Sequence, residues 1–305
     1  MRRTNLLLAC VLPLAACGSG DAPAQEPRRA AAAAGGAVNE VCRVEQALTP
    51  LPDDIHESSG VAASRAHPGV FWTHNDSGDP VLFAVDASGR LAGQVRVRGA
   101  EVEDWEDVAV GPCPGGGDCL YLADIGDNQA ERPAVTVWRV PEPAPGDAET
   151  RPAEAIRLRY PDGAQDAEAL FVLPDGRIHL LTKGETGPVA LYRVPAGTAA
   201  GATATLERVR ELAGDDVGRA RRVTGASASA DGEWVAVRTL RTLAFYPAGA
   251  LLGGGAVGPR QMDLGSLDEA QGEGVGFAAD GAVLLTSEGG KKKDPATFAR
   301  LACTL

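Results

Sequence analysis

The chain has 305 residues and a formal net charge of −12 at pH 7. Nucleic acids and anionic membrane surfaces are themselves negatively charged, so this balance disfavours non-specific binding to either. Beyond the N-terminal region, no stretch is long and apolar enough to cross a bilayer as a helix.

The first 16 residues are typical of an export signal. Arg2 and Arg3 precede an apolar run, 6–16, that is too short to span a bilayer. The run ends in Leu14-Ala15-Ala16-Cys17, which resembles the lipobox of bacterial lipoproteins. The resemblance implies cleavage before Cys17, lipidation of Cys17 and a membrane-anchored protein on the extracytoplasmic side. The alternative is an ordinary signal followed by a chance cysteine.

Residues 17–40 are small, polar and without apolar periodicity, which is typical of a flexible tether. Residues 41–305 are then expected to form a single folded domain. The membrane contact of such a protein is through its lipid only, and the domain is expected to act as a monomer.

Four cysteines remain in the domain, and an exported protein can keep disulfides. Four cysteines allow three pairings. Cys113 and Cys119 bracket a glycine-rich loop, whereas Cys42 and Cys303 lie at the two ends of the domain. We therefore predict the pairs 113–119 and 42–303. A metal site is the alternative, but no histidine lies near these cysteines at zinc-finger spacing.

One structural unit recurs five times along the domain. The five copies begin their apolar segments at Gly60-Val61, Asp107-Val108, Ala169-Leu170, Gly225-Ala226 and Gly274-Val275. Each copy continues with further short strands, and Asp-Gly and Ser-Gly doublets between them are hairpin signals. Repeats of this kind predict an all-β fold, a five-bladed β-propeller.

The last copy lacks a fourth strand. The segment 41–44 is a candidate to supply it by pairing beside 298–305, which would close the ring. A Cys42–Cys303 disulfide would then pin the closure. A six-bladed propeller is the alternative, because the loops near 141–156 and 248–262 have room for extra strands.

The repeat alignment also predicts where charged side chains meet. In a propeller blade, residues that enter the first strand and residues that leave the second lie at the same mouth of the central channel. The innermost layer of this mouth is Ser59, Glu106, Glu168, Thr224 and Glu273. The next layer is Glu57, Asp104, Asp166, Arg222 and Gln271. The residues at the end of the second strands are His74, Asp124, Lys183, Arg238 and Glu288.

The acids of the innermost layer favour a hard cation held by oxygen ligands. Calcium accepts many oxygens in loose geometry, and the set Glu106, Glu168 and Glu273 suits it. Asp124 begins the loop DIGDN, which resembles half of a calcium loop. The alternative is ordinary solvated loop charge, which would not align with the repeat.

Other polar residues at the mouth have two interpretations each. His74 could serve as a base or a ligand. Lys183, Arg222 and Arg238 could bind an anionic substrate or simply neutralise the carboxylates. Trp105 could belong to the core or form a platform for a sugar. A Ser-His-Asp triad is disfavoured, because no nucleophile elbow surrounds the serines.

The motifs HNDSG, DWEDVA, ADIGDN, DAEAL and GEGV resemble a group of bacterial secreted propellers without a firmly assigned activity. More distantly, they are similar to the gluconolactonase/senescence-marker propellers and the phytase-like esterase propellers. The close resemblance covers residues 57 to about 193. The distant families use a divalent cation, commonly calcium, at the central channel. The resemblance to them implies a metal-assisted hydrolase here, with Glu106, Glu168, Asp124 and Glu273 as candidate ligands. Those families mostly have six blades, whereas five are counted here.

Three functions remain open from the sequence. The first is a calcium-dependent hydrolase of a small ester, lactone or phosphoester, in which Asp104, Asp166 or His74 acts as the base. The second is a non-catalytic binding scaffold for a small molecule or carbohydrate. The third is a glycosidase that uses two carboxylates among Asp104, Asp166 and Glu288.

Overall fold

The computed structural model describes residues 41–256, 258–290 and 294–305. The predicted export signal, the lipidation site Cys17 and the tether therefore lie outside the described residues. No helix of the described part is long and apolar enough to cross a membrane.

The described chain folds into five antiparallel sheets, which follow one another along the sequence as the blades of a propeller. The first strand of the chain, β1 (Cys42–Pro50), belongs to the last blade. Blade 1 consists of β2 (Ser58–Ala63), β3 (Val70–Asn75), β4 (Val81–Asp86) and β5 (Leu91–Arg96). Blade 2 consists of β6 (Trp105–Pro112), β7 (Asp118–Asp124), β8 (Val135–Pro141) and β9 (Glu154–Arg159).

Blade 3 begins with β10 (Ala167–Val172), β11 (Ile178–Thr182) and β12 (Pro188–Arg193). A three-residue strand that the repeat alignment did not predict, β13 (Thr203–Thr205), then pairs in parallel with the outer strand of blade 2. Strand β14 (Glu207–Asp215) completes blade 3.

Blade 4 consists of β15 (Val223–Ala228), β16 (Trp234–Thr239), β17 (Thr242–Pro247) and β18 (Arg260–Asp263). Blade 5 consists of β19 (Gln271–Phe277), β20 (Val283–Glu288), β21 (Thr297–Cys303) and the N-terminal β1. The helices in the described ranges are one short α-helix, α1 (Ala248–Leu252), and two single 3-10 turns, Arg219–Arg221 and Gly265–Leu267.

The ring closes as the sequence predicts. Strand β1 pairs antiparallel with β21, with Cys42 opposite Cys303. Disulfides join Cys42 to Cys303 and Cys113 to Cys119. The five-bladed fold is thus confirmed, and the six-bladed alternative is wrong. The two segments with room for extra strands are accounted for within the five blades. Segment 248–262 contains α1 and the start of β18, and segment 141–156 ends with the start of β9.

The position of a strand within its blade decides its composition. The innermost strands β2, β6, β10, β15 and β19 contact one another in a closed ring. All six residues of β10 are buried, because apolar neighbours cover both of its faces. The outer strand β9 instead alternates between exposed and buried residues. Apolar clusters fill much of the space between blades, and one of them, between blades 1 and 2, contains Trp72, Trp105 and Trp138.

Asp107 links the innermost strands on the side of the central channel. The free edge of each inner strand would leave backbone N–H groups unpaired there. The carboxylate of Asp107 accepts hydrogen bonds from the N–H groups of Val108 (2.8 Å), Leu170 (2.9 Å) and Ala226 (3.2 Å). Three strands from three blades are therefore joined at one fully buried side chain.

Candidate functional site

Every inner strand carries an irregularity at the same height. In β10, Glu168 is inserted between the cross-strand pairs Ala167–Thr182 and Ala169–Leu181. Four equivalent insertions occur in β2, β6, β15 and β19. A bulge redirects a side chain out of the normal alternation of a strand. The predicted innermost layer thus exists, but it lies inside the strands rather than just before them.

This layer lies at a polar cavity of about 310 Å³ at one mouth of the channel. Four of its five members line the cavity, and Ser59 lies behind them, with its hydroxyl 3.4 Å from Glu106 Oε2. The full lining is Asp76, Asp104, Glu106, Asn128, Glu168, Lys183, Glu185, Arg219, Arg222, Thr224, Leu240, Gln271, Glu273 and Glu288. Seven of these side chains are carboxylic acids and three are cations, so the cavity has an excess of acid.

Burial and crowding oppose the ionisation of the inner acids. Burial raises the pKa of Glu106 well above its usual range, and the charges of Glu168 and Asp104 raise it further. Burial raises the pKa of Glu168 to about 7, although the nearby ammonium group of Lys183 acts in the opposite direction. That ammonium group contacts the Glu168 carboxylate directly and lies 3.5 Å from Asp166.

Glu273 is the inner acid with the fewest partners. Its side chain is only 5 % exposed, and its Oε2 has no hydrogen-bond partner among the described residues. Burial raises its pKa well above the usual range, and the charges of Glu168 and Glu288 add to the shift. Glu288 lies at the cavity wall, and its pKa is raised to about 7, mainly by burial and to a smaller extent by the charge of Asp76.

Gly126 allows two acids to approach one another. A Cβ at this position would lie 2.3 Å from Glu106 Oε1 and 2.4 Å from Asp104 Oδ2. Only a residue without a side chain leaves room for both carboxyl groups. Burial also raises the pKa of Asp104, and the charge of Asp166 adds to this effect.

Asp124, predicted as a metal ligand, has a different role. It is buried, lies outside the cavity lining and accepts a hydrogen bond from Arg132 at 3.0 Å. It also accepts the backbone N–H of Asp104 at 3.2 Å. Elsewhere in the DIGDN loop, Asp127 accepts the N–H groups of Glu131 and Arg132 and closes a turn, whereas Asn128 lines the cavity.

His74 and Trp105 pack together inside the protein. His74 is fully buried, its Nδ1 lies 3.0 Å from the carbonyl of Asn75, and its ring meets Trp105 edge-on at 5.6 Å. Burial lowers its pKa to about 4. Neither residue lines the cavity, so a base at the mouth and a sugar platform are both at odds with their positions.

Two other predicted residues also lie outside the cavity lining. Asp166 is 3 % exposed and accepts the N–H of Asp127 at 3.0 Å. Arg238 is fully buried between blades 4 and 5, where it donates to the carbonyls of Gly274 and Thr286 at 2.8 Å. Its remaining contact is an ion pair with Glu269. These contacts position the backbone, and neither residue belongs to the cavity lining.

The structure adds lining residues to which the alignment gave no role. Glu185 follows β11, and Arg219 lies on the 3-10 turn before β15. Both belong to connections that differ from blade to blade, so no repeat position pointed to them. Lys183, Arg222 and Glu288 line the cavity as predicted.

The fit of a metal ion is mixed. The donors are carboxylate oxygens, which suit a hard cation, and one of them on Glu273 is unpaired. Among the residues that the structure describes, no three His, Cys, Asp or Glu side chains are already arranged to hold an ion. The chemistry of the donors therefore fits calcium, whereas a complete ligand shell would need side chains to turn inward.

Comparisons with known proteins give a likeness of fold. No family model and no curated protein matches the sequence. The PQQ-bound aldose sugar dehydrogenase of Streptomyces coelicolor aligns with a TM-score of 0.52 at 12 % identity, over 86 % of this chain and 98 % of that chain.

Two further structures align less well. A gluconolactonase of Xanthomonas campestris aligns with a TM-score of 0.45 at 12 % identity, over 80 % of this chain and 72 % of that chain. A calcium-binding regucalcin of Agrobacterium tumefaciens aligns with a TM-score of 0.43 at 16 % identity, over 85 % of this chain and 94 % of that chain. The chain is thus a five-bladed β-propeller, and its distant resemblance to other propellers is one of fold alone.

Proposed function

We propose that the acidic mouth binds a divalent cation, calcium foremost, and that the protein is a metal-dependent hydrolase of a small ester, lactone or phosphoester. One observation carries the proposal. The inner ring places a buried, unpartnered carboxylate oxygen of Glu273 at the cavity, within reach of the charges of other buried acids. Such crowding is costly without a cation.

Glu106, Glu273 and Asp104 are the residues that would hold the ion. Glu168 is the fourth candidate, and it is already neutralised in part by Lys183. A bound divalent cation would supply a Lewis acid that polarises a carbonyl or phosphoryl oxygen. Glu288 lies at the cavity wall, where Gln271 donates a hydrogen bond to its Oε2 at 2.9 Å. It is placed to move a proton, whereas the buried His74 does not line the cavity.

Calcium binding is tested by calorimetry and by thermal unfolding of the domain 41–305. At 100 times its Kd, calcium should stabilise the fold by about 2.7 kcal/mol, which raises Tm by about 5–10 °C for a domain of this size. Glu106→Gln and Glu273→Gln should each abolish most of the rise. Glu233→Gln, an equal charge change in an exposed turn at the other end of blade 4, should keep it.

An unchanged melting curve in calcium and in chelator would overturn the cation site. Hydrolysis is then tested with lactones, phosphoesters and glycosides, comparing wild type with Glu106→Gln. Turnover that requires both calcium and Glu106 supports the hydrolase. Calcium binding without turnover of any of them overturns it.

A non-catalytic binding scaffold is the second candidate. The ion pairs Lys183–Glu168 and Arg222–Glu185 favour it, because both neutralise part of the cavity without a ligand. A glycosidase is less favoured. Asp104 and Glu288 both line the cavity, but its described lining offers no aromatic side chain on which a sugar could stack.

We also propose that the protein is an exported lipoprotein anchored on the extracytoplasmic side. Two disulfides within the domain support export, because such bonds persist in oxidising compartments. Cys17→Ser should move the full chain from the membrane fraction to the soluble fraction. An unchanged distribution would contradict the lipid anchor.

A further inference from the structure

The charges of the cavity are separated in space. Five of the seven acids, Asp76, Asp104, Glu106, Glu273 and Glu288, come from blades 1, 2 and 5. The cations come from the region where blade 3 meets blade 4, with Lys183 after β11 and with Arg219 and Arg222 just before β15. The other two acids, Glu168 and Glu185, lie in that same region as ion-pair partners of Lys183 and Arg222. A ligand in the cavity therefore meets an acidic wall on one side and all three cations on the other.

The three cations are not equivalent. Lys183 is directed inward onto Glu168 and Asp166, and its pKa is raised because these acids outweigh the effect of burial. It is therefore occupied by the inner acids. The two arginines lie further out, on the segment that contains the short turn before β15.

Each arginine keeps part of its hydrogen-bonding capacity. Arg222 Nη2 lies 2.6 Å from Glu185, but its Nε is buried without a hydrogen-bond partner among the described residues. Arg219 Nη2 donates to the neutral amide oxygen of Gln271 at 3.2 Å. A guanidinium group has five N–H donors in a planar fork that matches phosphate and carboxylate oxygens.

The rest of the lining excludes other ligand classes. Among the described residues, the lining contains no aromatic side chain and only one aliphatic side chain, Leu240. These residues therefore offer neither stacking on a sugar face nor apolar burial of a neutral ester. A cavity of about 310 Å³ admits a small, polar group.

We propose that Arg219 and Arg222 bind the anionic group of the substrate, so that the protein acts on small phosphoesters rather than on neutral lactones or glycosides. This inference rests on the proposed hydrolase function and narrows it. A cation at the acidic wall and the two guanidinium groups opposite it would hold a phosphoryl group from two sides.

The test measures binding without turnover. Phenylphosphonate, which carries a phosphoryl group but no scissile ester, is titrated by calorimetry into the calcium-loaded domain, with δ-valerolactone as the neutral probe. Arg219→Gln and Arg222→Gln should each raise the Kd for phenylphosphonate about tenfold, as expected for one charge-assisted contact. The Kd for calcium should stay close to that of wild type.

Arg221→Gln is the matched control. It removes the same charge from the same short turn, but Arg221 does not line the cavity. Three outcomes would each overturn the inference. The first is an equal loss of phosphonate affinity in Arg221→Gln and Arg219→Gln, and the second is a wild-type Kd for the phosphonate in both cavity variants. The third is tighter binding of the lactone than of the phosphonate.

Failure of the inference is distinguishable from failure of the proposed function. Phenylphosphonate is also titrated in chelator, and calcium is titrated alone. Arginine-dependent phosphonate binding without calcium binding would support the anion site and overturn the cation site. Calcium binding with no phosphonate binding would support the cation site and overturn the anion site.

Discussion

Replacement of Asp107 tests whether its carboxylate joins the inner strands of three blades. In Asp107→Ala, the N–H groups of Val108, Leu170 and Ala226 lose their acceptor in a fully buried place. Each unsatisfied buried group costs about 1–3 kcal/mol, so the free energy of unfolding should fall by at least about 3 kcal/mol. In Asp107→Asn, one oxygen can still accept from Leu170 and Ala226, and a smaller loss of about 1–3 kcal/mol is expected.

Urea unfolding followed by tryptophan fluorescence measures these losses, because Trp72 and Trp105 are fully buried in the native state. Asp231→Ala is the control. Asp231 also accepts hydrogen bonds, from Ser229 and Glu233, but in an exposed turn where water can replace it. The expected order of stability is wild type, Asp231→Ala, Asp107→Asn and Asp107→Ala. An Asp107→Ala domain as stable as the Asp231→Ala domain would refute the reasoning.

Three further predictions follow from buried groups and covalent links. His179 is fully buried against Phe171, and burial lowers its pKa to about 4. Its contribution to stability is therefore present above pH 6.5 and lost as the pH falls towards 4. His179→Leu should flatten this part of an acid-unfolding curve, and an unchanged slope would contradict the prediction. Replacing Cys42 and Cys303 by serine should lower the free energy of unfolding by about 2–5 kcal/mol. The loss should exceed that from replacing Cys113 and Cys119, because the first disulfide joins cysteines 261 residues apart and the second joins cysteines 6 residues apart. Equal losses in urea unfolding would argue against ring closure as the cause. Gly126→Ala should weaken calcium binding at least about tenfold by pushing apart Glu106 and Asp104, and calorimetry with a wild-type Kd would exclude that pocket as the cation site.

The blade architecture was predictable because local signals and long-range constraints agreed. Short apolar strands separated by Asp-Gly and Ser-Gly turns recur at similar spacing, and the missing strand of blade 5 left one place for residues 41–44. The inner ring of Glu106, Glu168 and Glu273 was also predictable, since one repeat position carries it. The short strand β13 was not, because it belongs to a connection and pairs in parallel with another blade.

The side-chain directions at the ends of the second strands were not predictable. His74, Asp124 and Arg238 share a repeat position with Lys183 and Glu288, yet among these five only Lys183 and Glu288 line the cavity. Alternation along a strand sends side chains to opposite faces, and a bulge in the partner strand shifts the register locally. Position in the repeat therefore gave the height of these residues in the propeller, but not whether they face the channel or a neighbouring blade.

The course of β1 has a practical consequence. The mouth lies where Gln271 pairs with Glu288, whereas Cys42 and Cys303 lie at the other end of blade 5, beside Leu301 and Val283. Whatever joins the domain ahead of Val41, a native anchor or a sensor chip, attaches at the face opposite the acidic opening. Immobilisation through the N-terminus should therefore leave the cavity turned towards solution and open to its ligand.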